Sequence, residues 1–340
     1  MKSLITLVFL LQLGLVPALS QSTYKKVTKL MGCKFEISVV ANSQTEADSY
    51  ITAATEEIKR IEKMISSWNN DSETSLINKN AGIQPVRVSK ELLLLIERAL
   101  KISKLTDGAF DITYASVDKI WKFDGSMTQM PNPETIKHSV RNIDYKNIVI
   151  DHEKSTVYLK NKGMKIGFGA IGKGYAADKA KALLISIGAK AGIINASGDL
   201  CTWGTQPNGK NWMVAIVNPL NKQKVFSWMP VVNSAVVTSG NYENFVTFND
   251  ETYSHIIDPR TGYPAKGILS VSIFTPNAEI ADALATSVFV MGTEAGLNLI
   301  NQLNGIECII IDSDNNILKS NHIQFDTVKN EKTNEENISN

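Results

Sequence analysis

The chain has 340 residues, 43% of them hydrophobic and 20% charged, with 35 Lys plus Arg against 34 Asp plus Glu. That is enough apolar material for one large domain or two small ones. The near balance of charge gives no reason to expect nucleic acid as a partner.

Residues 1–20 read as a leader rather than as part of the fold. Met1-Lys2 is a short basic start, residues 4–16 are apolar, and Ala18-Leu19-Ser20 supplies small residues before Gln21. This is the pattern of a secretory signal peptide cleaved before Gln21. The apolar run is short for a membrane span, although an uncleaved anchor has the same composition. The mature chain is expected to be exported, soluble and periplasmic or otherwise extracytoplasmic, with no stable membrane insertion.

Periodicity then gives the elements in order. Residues 34–40 alternate as a strand. Within 43–68, Ile51, Ala54, Ile58, Ile61 and Ile65 recur at three- and four-residue steps, which predicts an amphipathic helix. Ser89 is placed to cap a second helix through Leu105. Residues 124–134, with Gly125, Pro131 and Pro133, read as a loop. A third helix is expected from about Gly174 to Gly188, and 278–292 is a candidate fourth. Short β-like runs fall at 148–151, 156–160, 212–217, 231–237, 245–248, 268–274 and 308–311. Strands cluster and helices are unevenly spaced, so the expected class is α+β, with mixed or antiparallel sheets and flanking helices. A single domain over 21–325 is expected, followed by a polar, disordered tail at 326–340. Cys33, Cys201 and Cys308 lack metal-ligand spacing. One disulfide is open to them in an oxidising compartment, but three free thiols are the favoured reading.

Four segments carry candidate chemistry. In AEIADALATSVFVMG (278–292), Asp282 and Thr286 are four residues apart. On a helix they share a face, and a carboxylate plus a hydroxyl suits a hard cation such as Mg²⁺. The same pair would also arise if Asp282 capped a neighbour and Thr286 bonded back to its own helix. In KIGFGAIGKGYAADKA (165–180), glycines surround Lys173 at the start of a helix. Such a turn lets backbone amides approach a phosphate, or simply lets helix and strand pack closely. TSGNYENF (238–245) precedes YSHIIDPRTGYP (253–264), where His255 stands before a strong turn. A histidine there could serve as a base or as a structural side chain. TDGAFDIT (106–113) offers a small-residue bend beside Phe110, suited to lining a flat ring or to entering a core strand. NASGDL (195–200) is a polar turn containing Asp199.

Together and in this order, MGCKFEISV, SSWNNDSETSLIN, DGAFDIT, GAIGKGYAAD, ASGDL, TSGNYENF, HIIDPRTGYP and DALAT resemble the ApbE-type flavin transferase family, the FAD:protein FMN transferases. The resemblance runs from about Thr28 to Phe325. It implies an enzyme that binds FAD and Mg²⁺, cleaves the pyrophosphate and joins FMN through a phosphoester to Ser or Thr of an acceptor protein. It also implies roles. Asp282 and Thr286 match metal ligands, with backbone oxygens near Ala170 and Ala285 added. Met31, Trp68, Gly108, Ala109 and Phe110 match flavin contacts. Lys173 matches a lysine near FAD, and His255 the base for the acceptor hydroxyl. Asp199, Ser239 and Gly240 shape the pocket. Departures are Gly167, where the family usually has an acidic residue, Trp68 for a frequent Tyr, and Ser197 for a common Gly. An FAD pyrophosphatase and a non-catalytic flavin binder are the rival readings.

Overall fold

The computed structural model describes residues 21–323, apart from 125, 128, 219–220, 241–244 and 249–250. The expected leader at 1–20, the expected tail at 326–340 and the middle of TSGNYENF therefore lie outside the described residues. The strands are β1 (Ser22–Leu30), β2 (Cys33–Ala41), β3 (Val86–Arg87), β4 (Ile148–Asp151), β5 (Thr156–Leu159), β6 (Gly192–Ala196), β7 (Asp199–Trp203), β8 (Trp212–Asn218), β9 (Asn221–Val231), β10 (Ala235–Gly240), β11 (Phe245–Phe248), β12 (Glu251–Ser254), β13 (Ile268–Thr275), β14 (Glu307–Asp312) and β15 (Ile317–Lys319). The helices are α1 (Gln44–Ile65), α2 (Glu73–Lys79), α3 (Lys90–Leu105), α4 (Pro133–Ser139), α5 (Gly172–Ser186), α6 (Ala278–Met291) and α7 (Thr293–Asn301).

The class is α+β. An eight-stranded sheet runs in the order β1-β2-β6-β7-β10-β13-β14-β15, every neighbouring pair antiparallel. Its period-two pattern puts Phe35, Ile37 and Val39 of β2, each fully buried, beneath α1 and α5. Each isoleucine so buried contributes about 1.5–3 kcal/mol. A second apolar cluster joins Val237 of β10, Val271 and Ile273 of β13 and Ile310 of β14 to Leu284, Val288 and Phe289 of α6. The helices therefore cover one face. On the other face, Leu200, Val236 and Phe274 meet Val214 and Val231 of the β8–β9 hairpin. A third cluster, with Trp121, Ile136, Val246, Tyr253 and Ile257, ties the β11–β12 hairpin to the segment around residue 121. No helix among the described residues is long and apolar enough to cross a membrane.

Ser89 caps α3 as expected and Ser43 likewise caps α1, each accepting from a backbone N–H three residues on. Three expectations need correction. The run 231–237 is not one strand: Val231 ends β9, Asn233 turns with φ 46°, and Ala235 starts β10. Val231 and Ala235 are buried on either side of the turn, while Val232, an apolar residue, is exposed within it, so the apolar run hid the break. The loop at 124–134 ends early, because Asn132 accepts from Thr135 N (2.8 Å) and Pro133 begins α4. Proline is well suited to a first helical position, where its missing N–H costs nothing. After the bend at Asp107-Gly108, Asp111 caps a 3-10 turn at Ile112–Ser116 rather than leading into a strand.

Candidate active site

Two tight hairpins set one wall. The β1–β2 turn has Met31 and Gly32 at φ 50° and 75°, and the β6–β7 turn has Ser197 and Gly198 at φ 54° and 105°. Two successive left-handed residues are the signature of the turn that matches strand twist. The hairpins abut, with Ser197 N donating to Lys34 O at 2.9 Å. Asp199, the first residue of β7, then faces the helix side of the sheet, as Cys201 does two residues on.

The glycine run before α5 does two jobs. Gly172 and Gly174 are packing residues: an added Cβ would stand 2.8 Å from Ile65 Cδ1 and 2.1 Å from Ala278 O, respectively. At Gly169 an added Cβ would have nothing within 4 Å. Gly169 lines the cleft, open to a close approach. Gly167 fits its surroundings as glycine, since a Cβ there would come 3.0 Å from Ala115 Cβ.

Between the packing glycines, Lys173 reaches inward. Its Nζ lies 2.9 Å from Asp199 Oδ2 and 3.3 Å from Asp282 Oδ1. Asp282 Oδ2 accepts from Gly174 N at 3.1 Å. Both carboxylates are almost wholly buried, 4% exposed for Asp199 and 3% for Asp282. Burial alone would lower the Lys173 pKa, but the charges of Asp282 and Asp199 outweigh it and hold the ammonium above its usual range. Burial, reinforced by the charge of Asp282, pushes the Asp199 carboxyl up, against the pull of Lys173. The Lys173 approach to Asp199 Oδ2 is a charge contact that does not meet hydrogen-bond geometry, leaving that buried oxygen without a hydrogen-bond donor.

One turn beyond Asp282 on α6, Thr286 Oγ1 lies 3.5 Å from Ser239 Oγ, near the end of β10 at Gly240. These groups open into a cleft of about 650 Å³. Trp68, 81% exposed, stands on its rim with Lys119 Nζ 4.7 Å above the ring. Ala109 and Phe110 line it from the bend after α3. His255 follows β12 and meets the Phe123 ring edge-on at 6.5 Å. The turn after it is braced by Arg260, whose guanidinium donates twice to Asp258 at 2.9 and 2.8 Å, and by Trp121 Nε1 donating to Gly262 O at 2.9 Å.

All but three of the expected site residues line this cleft. Met31 instead folds against the α5 start, its Cε 3.6 Å from where a Gly172 Cβ would stand. Gly108, at φ 75°, shapes the bend and faces Arg260 and Tyr145. Ala285 has its methyl in the apolar cluster under α6. Sequence reading missed Cys33, Ser67, Tyr114 and Thr238, which also line the cleft. Ser67 and Thr238 adjoin Trp68 and Ser239, and Cys33 follows the hairpin turn, so adjacency was the available signal. Tyr114 had none.

The donor set fits a hard cation. Among the described residues no three His, Cys, Asp or Glu side chains converge as a metal cage. A cation here would rest on the Asp282 carboxylate and the Thr286 hydroxyl, completed by backbone, water or substrate oxygens, as Mg²⁺ prefers. The buried Asp199 oxygen and the ammonium between two carboxylates both mark a place that demands positive charge.

Comparison with known proteins agrees. A model described as the ApbE family matches residues 31–310. The FAD:protein FMN transferase of Treponema pallidum is 32% identical over 289 residues, covering 79% of this chain and 80% of its own. That of Haemophilus influenzae is 26% identical over 338 residues, covering 96% and 98%. The crystal structure of the ApbE protein from Thermotoga maritima superposes with a TM-score of 0.79 at 31% identity, covering 88% of this chain and 97% of that one. With the family model matching most of the chain and the fold alike, this chain belongs to the ApbE family.

Proposed function

We propose that this protein transfers FMN from FAD to a Ser or Thr hydroxyl of an acceptor protein, releasing AMP, with Mg²⁺ as its metal and after export from the cytoplasm. The observation that carries the reading is the meeting of Lys173, Asp199, Asp282 and Thr286 in the cleft that His255 also lines. The names of the relatives support the same reaction.

The chemistry is phosphoryl-type transfer, in which positioning and charge stabilisation do most of the catalysis. Mg²⁺, held by Asp282 and Thr286 with the Ala170 carbonyl, would supply neutralisation of the pyrophosphate charge. Lys173 adds an ammonium beside the same phosphates, and the Gly169 turn lets backbone approach them. Trp68, Ala109 and Phe110 offer flat apolar surface to a ring system. The acceptor hydroxyl oxygen attacks the phosphorus of the FMN half while the bridging P–O bond breaks, its electrons leaving with AMP. The hydroxyl proton passes to His255. Residues 1–20 act as the export signal, supported by their basic, apolar and small-residue sequence.

The test incubates the mature chain with FAD, Mg²⁺ and small domains bearing an accessible threonine, then reads acceptor mass. An FMN adduct that disappears in Asp282→Asn supports transfer. Metal-dependent release of free FMN and AMP without adduct would make the protein a pyrophosphatase, and intact bound FAD would make it a binder. The amino terminus of the secreted protein should be Gln21.

A further inference from the structure

Helices α5 and α6 cap each other. Neither start has a side-chain cap from its own N-cap residue. Instead Asp178 of α5 accepts from the backbone N–H of Ala278 (3.0 Å) and of Glu279 (2.9 Å), the first two residues of α6. In return Asp282 of α6 accepts from Gly174 N, in the first turn of α5, at 3.1 Å. The arrangement is nearly symmetric in sequence: Gly174 and Asp178 are four apart, as are Ala278 and Asp282, and both stretches read small-x-x-Ala-Asp. The small residues form the crossing, where a Cβ on Gly174 would stand 2.1 Å from Ala278 O. First-turn amides lack intrahelical partners and carry partial positive charge, so each carboxylate favours one placement of the opposite helix.

We infer that Asp178 is a positioning residue: it fixes the start of α6 against α5, and thereby sets the Asp282 carboxylate and the Thr286 hydroxyl toward the cleft. The inference rests on the proposed metal role of Asp282 only for its consequence, not for its geometry. A bland alternative is that Asp178 merely stabilises the fold, with other contacts enough to place Asp282.

Two readouts on the full mature chain separate these. The first needs no metal or flavin: hydrogen exchange of the Gly174 amide, which reports whether Asp282 still accepts from it. The second is binding of Mn²⁺ alone, followed by electron paramagnetic resonance. Asp178→Asn keeps one acceptor oxygen and sets an amide N–H₂ against the other donor. It should speed Gly174 exchange at least tenfold, toward the rate in Asp282→Ala, and weaken Mn²⁺ at least tenfold. Asp178→Ala should do more, and if it does not fold the asparagine variant decides. Arg98→Ala is the control, since it removes the Arg98–Glu279 ion pair (2.6 Å) from the same turn of α6. It should lower the melting temperature without changing either readout. Gly174 exchange within twofold of wild type in Asp178→Asn, or an equal acceleration in Arg98→Ala, overturns the inference. If wild type binds no Mn²⁺, the metal reading fails while the exchange result still decides the role of Asp178.

Discussion

Lys173 Nζ stands 2.9 Å from Asp199 and 3.3 Å from Asp282, so one ammonium partly neutralises two buried carboxylates. Lys173→Met should leave two like charges facing each other in low dielectric. Removing one partner of a buried ionic group costs about 3 kcal/mol at the lower end of the usual range, the end appropriate to a site open to a cleft. Added Mg²⁺ should recover more stability in this variant than in wild type, because the lost charge can be replaced. Thermal denaturation with and without Mg²⁺ measures both effects. Equal melting temperatures for variant and wild type would show that the carboxylates do not depend on the ammonium.

Trp68 exposes most of its ring at the cleft rim. Trp68→Ala should change stability by no more than about 0.5 kcal/mol, as for surface substitutions generally. If the ring stacks on FAD, the same change should weaken FAD binding about 2- to 13-fold, the equivalent of about 0.5–1.5 kcal/mol for an aromatic pair. Flavin fluorescence titration reads the affinity. An unchanged affinity would remove Trp68 from the binding surface.

Gly169 and Gly174 are predicted to respond in opposite ways. Gly174→Ala drives a methyl into the Ala278 carbonyl and should destabilise the chain by at least about 1–3 kcal/mol, the cost of overpacking. Gly169→Ala meets nothing within 4 Å and should leave the melting temperature nearly unchanged. It should instead weaken FAD binding, by filling space at the cleft wall. Loss of stability in both, or in neither, would contradict the division of the glycine run into packing and ligand-facing positions.

How much of this was legible depends on whether the signal was local. The period of Ile51, Ala54, Ile58, Ile61 and Ile65 identified α1 because one helix face carries the core. β1 escaped because Lys25, Lys26 and Lys29 give it no apolar alternation; it is an edge strand held by pairing with β2. β6 and β7 escaped because only the turn between them was read. Asp282 and Thr286 were found from four-residue spacing, and His255 from its place before a strong turn. Their assembly with Lys173 and Asp199 is tertiary, joining positions from 56 (Asp199 to His255) to 113 (Lys173 to Thr286) residues apart. No local pattern said that Asp282 would also cap α5, so both readings of that residue hold: it caps a neighbour and faces the cleft. The repeated small-x-x-Ala-Asp at 174–178 and 278–282 was visible in the sequence, but its meaning required knowing that the two helices cross.

The three cysteines are free in the structure, and their surroundings predict a strict order of reactivity. Burial pushes the Cys201 and Cys308 thiols up to about 12. Burial also raises Cys33, but this residue is half-buried and lines the cleft. Alkylation requires the thiolate, and a thiol with a pKa near 12 is only about 10⁻⁴ ionised at pH 8. Native protein treated with iodoacetamide at pH 8 should therefore be labelled at Cys33, with Cys201 and Cys308 labelled only after unfolding. FAD should protect Cys33 if it fills the cleft. The linkage has a definite sign. The folded thiols hold their protons more tightly than unfolded ones, so their contribution to stability is complete below the unfolded pKa near 9 and declines as pH rises toward 12. Between pH 9 and 10 the two buried thiols together should lower stability by about 2 kcal/mol, because the unfolded thiols are already half ionised at pH 9. Peptide mass spectrometry and denaturation across that range check both statements. Uniform labelling of all three cysteines in the native state would mean that the core around β7 and β14 opens on the timescale of alkylation. Labelling of Cys33 at the same rate with and without saturating FAD would place the flavin away from the β1–β2 turn.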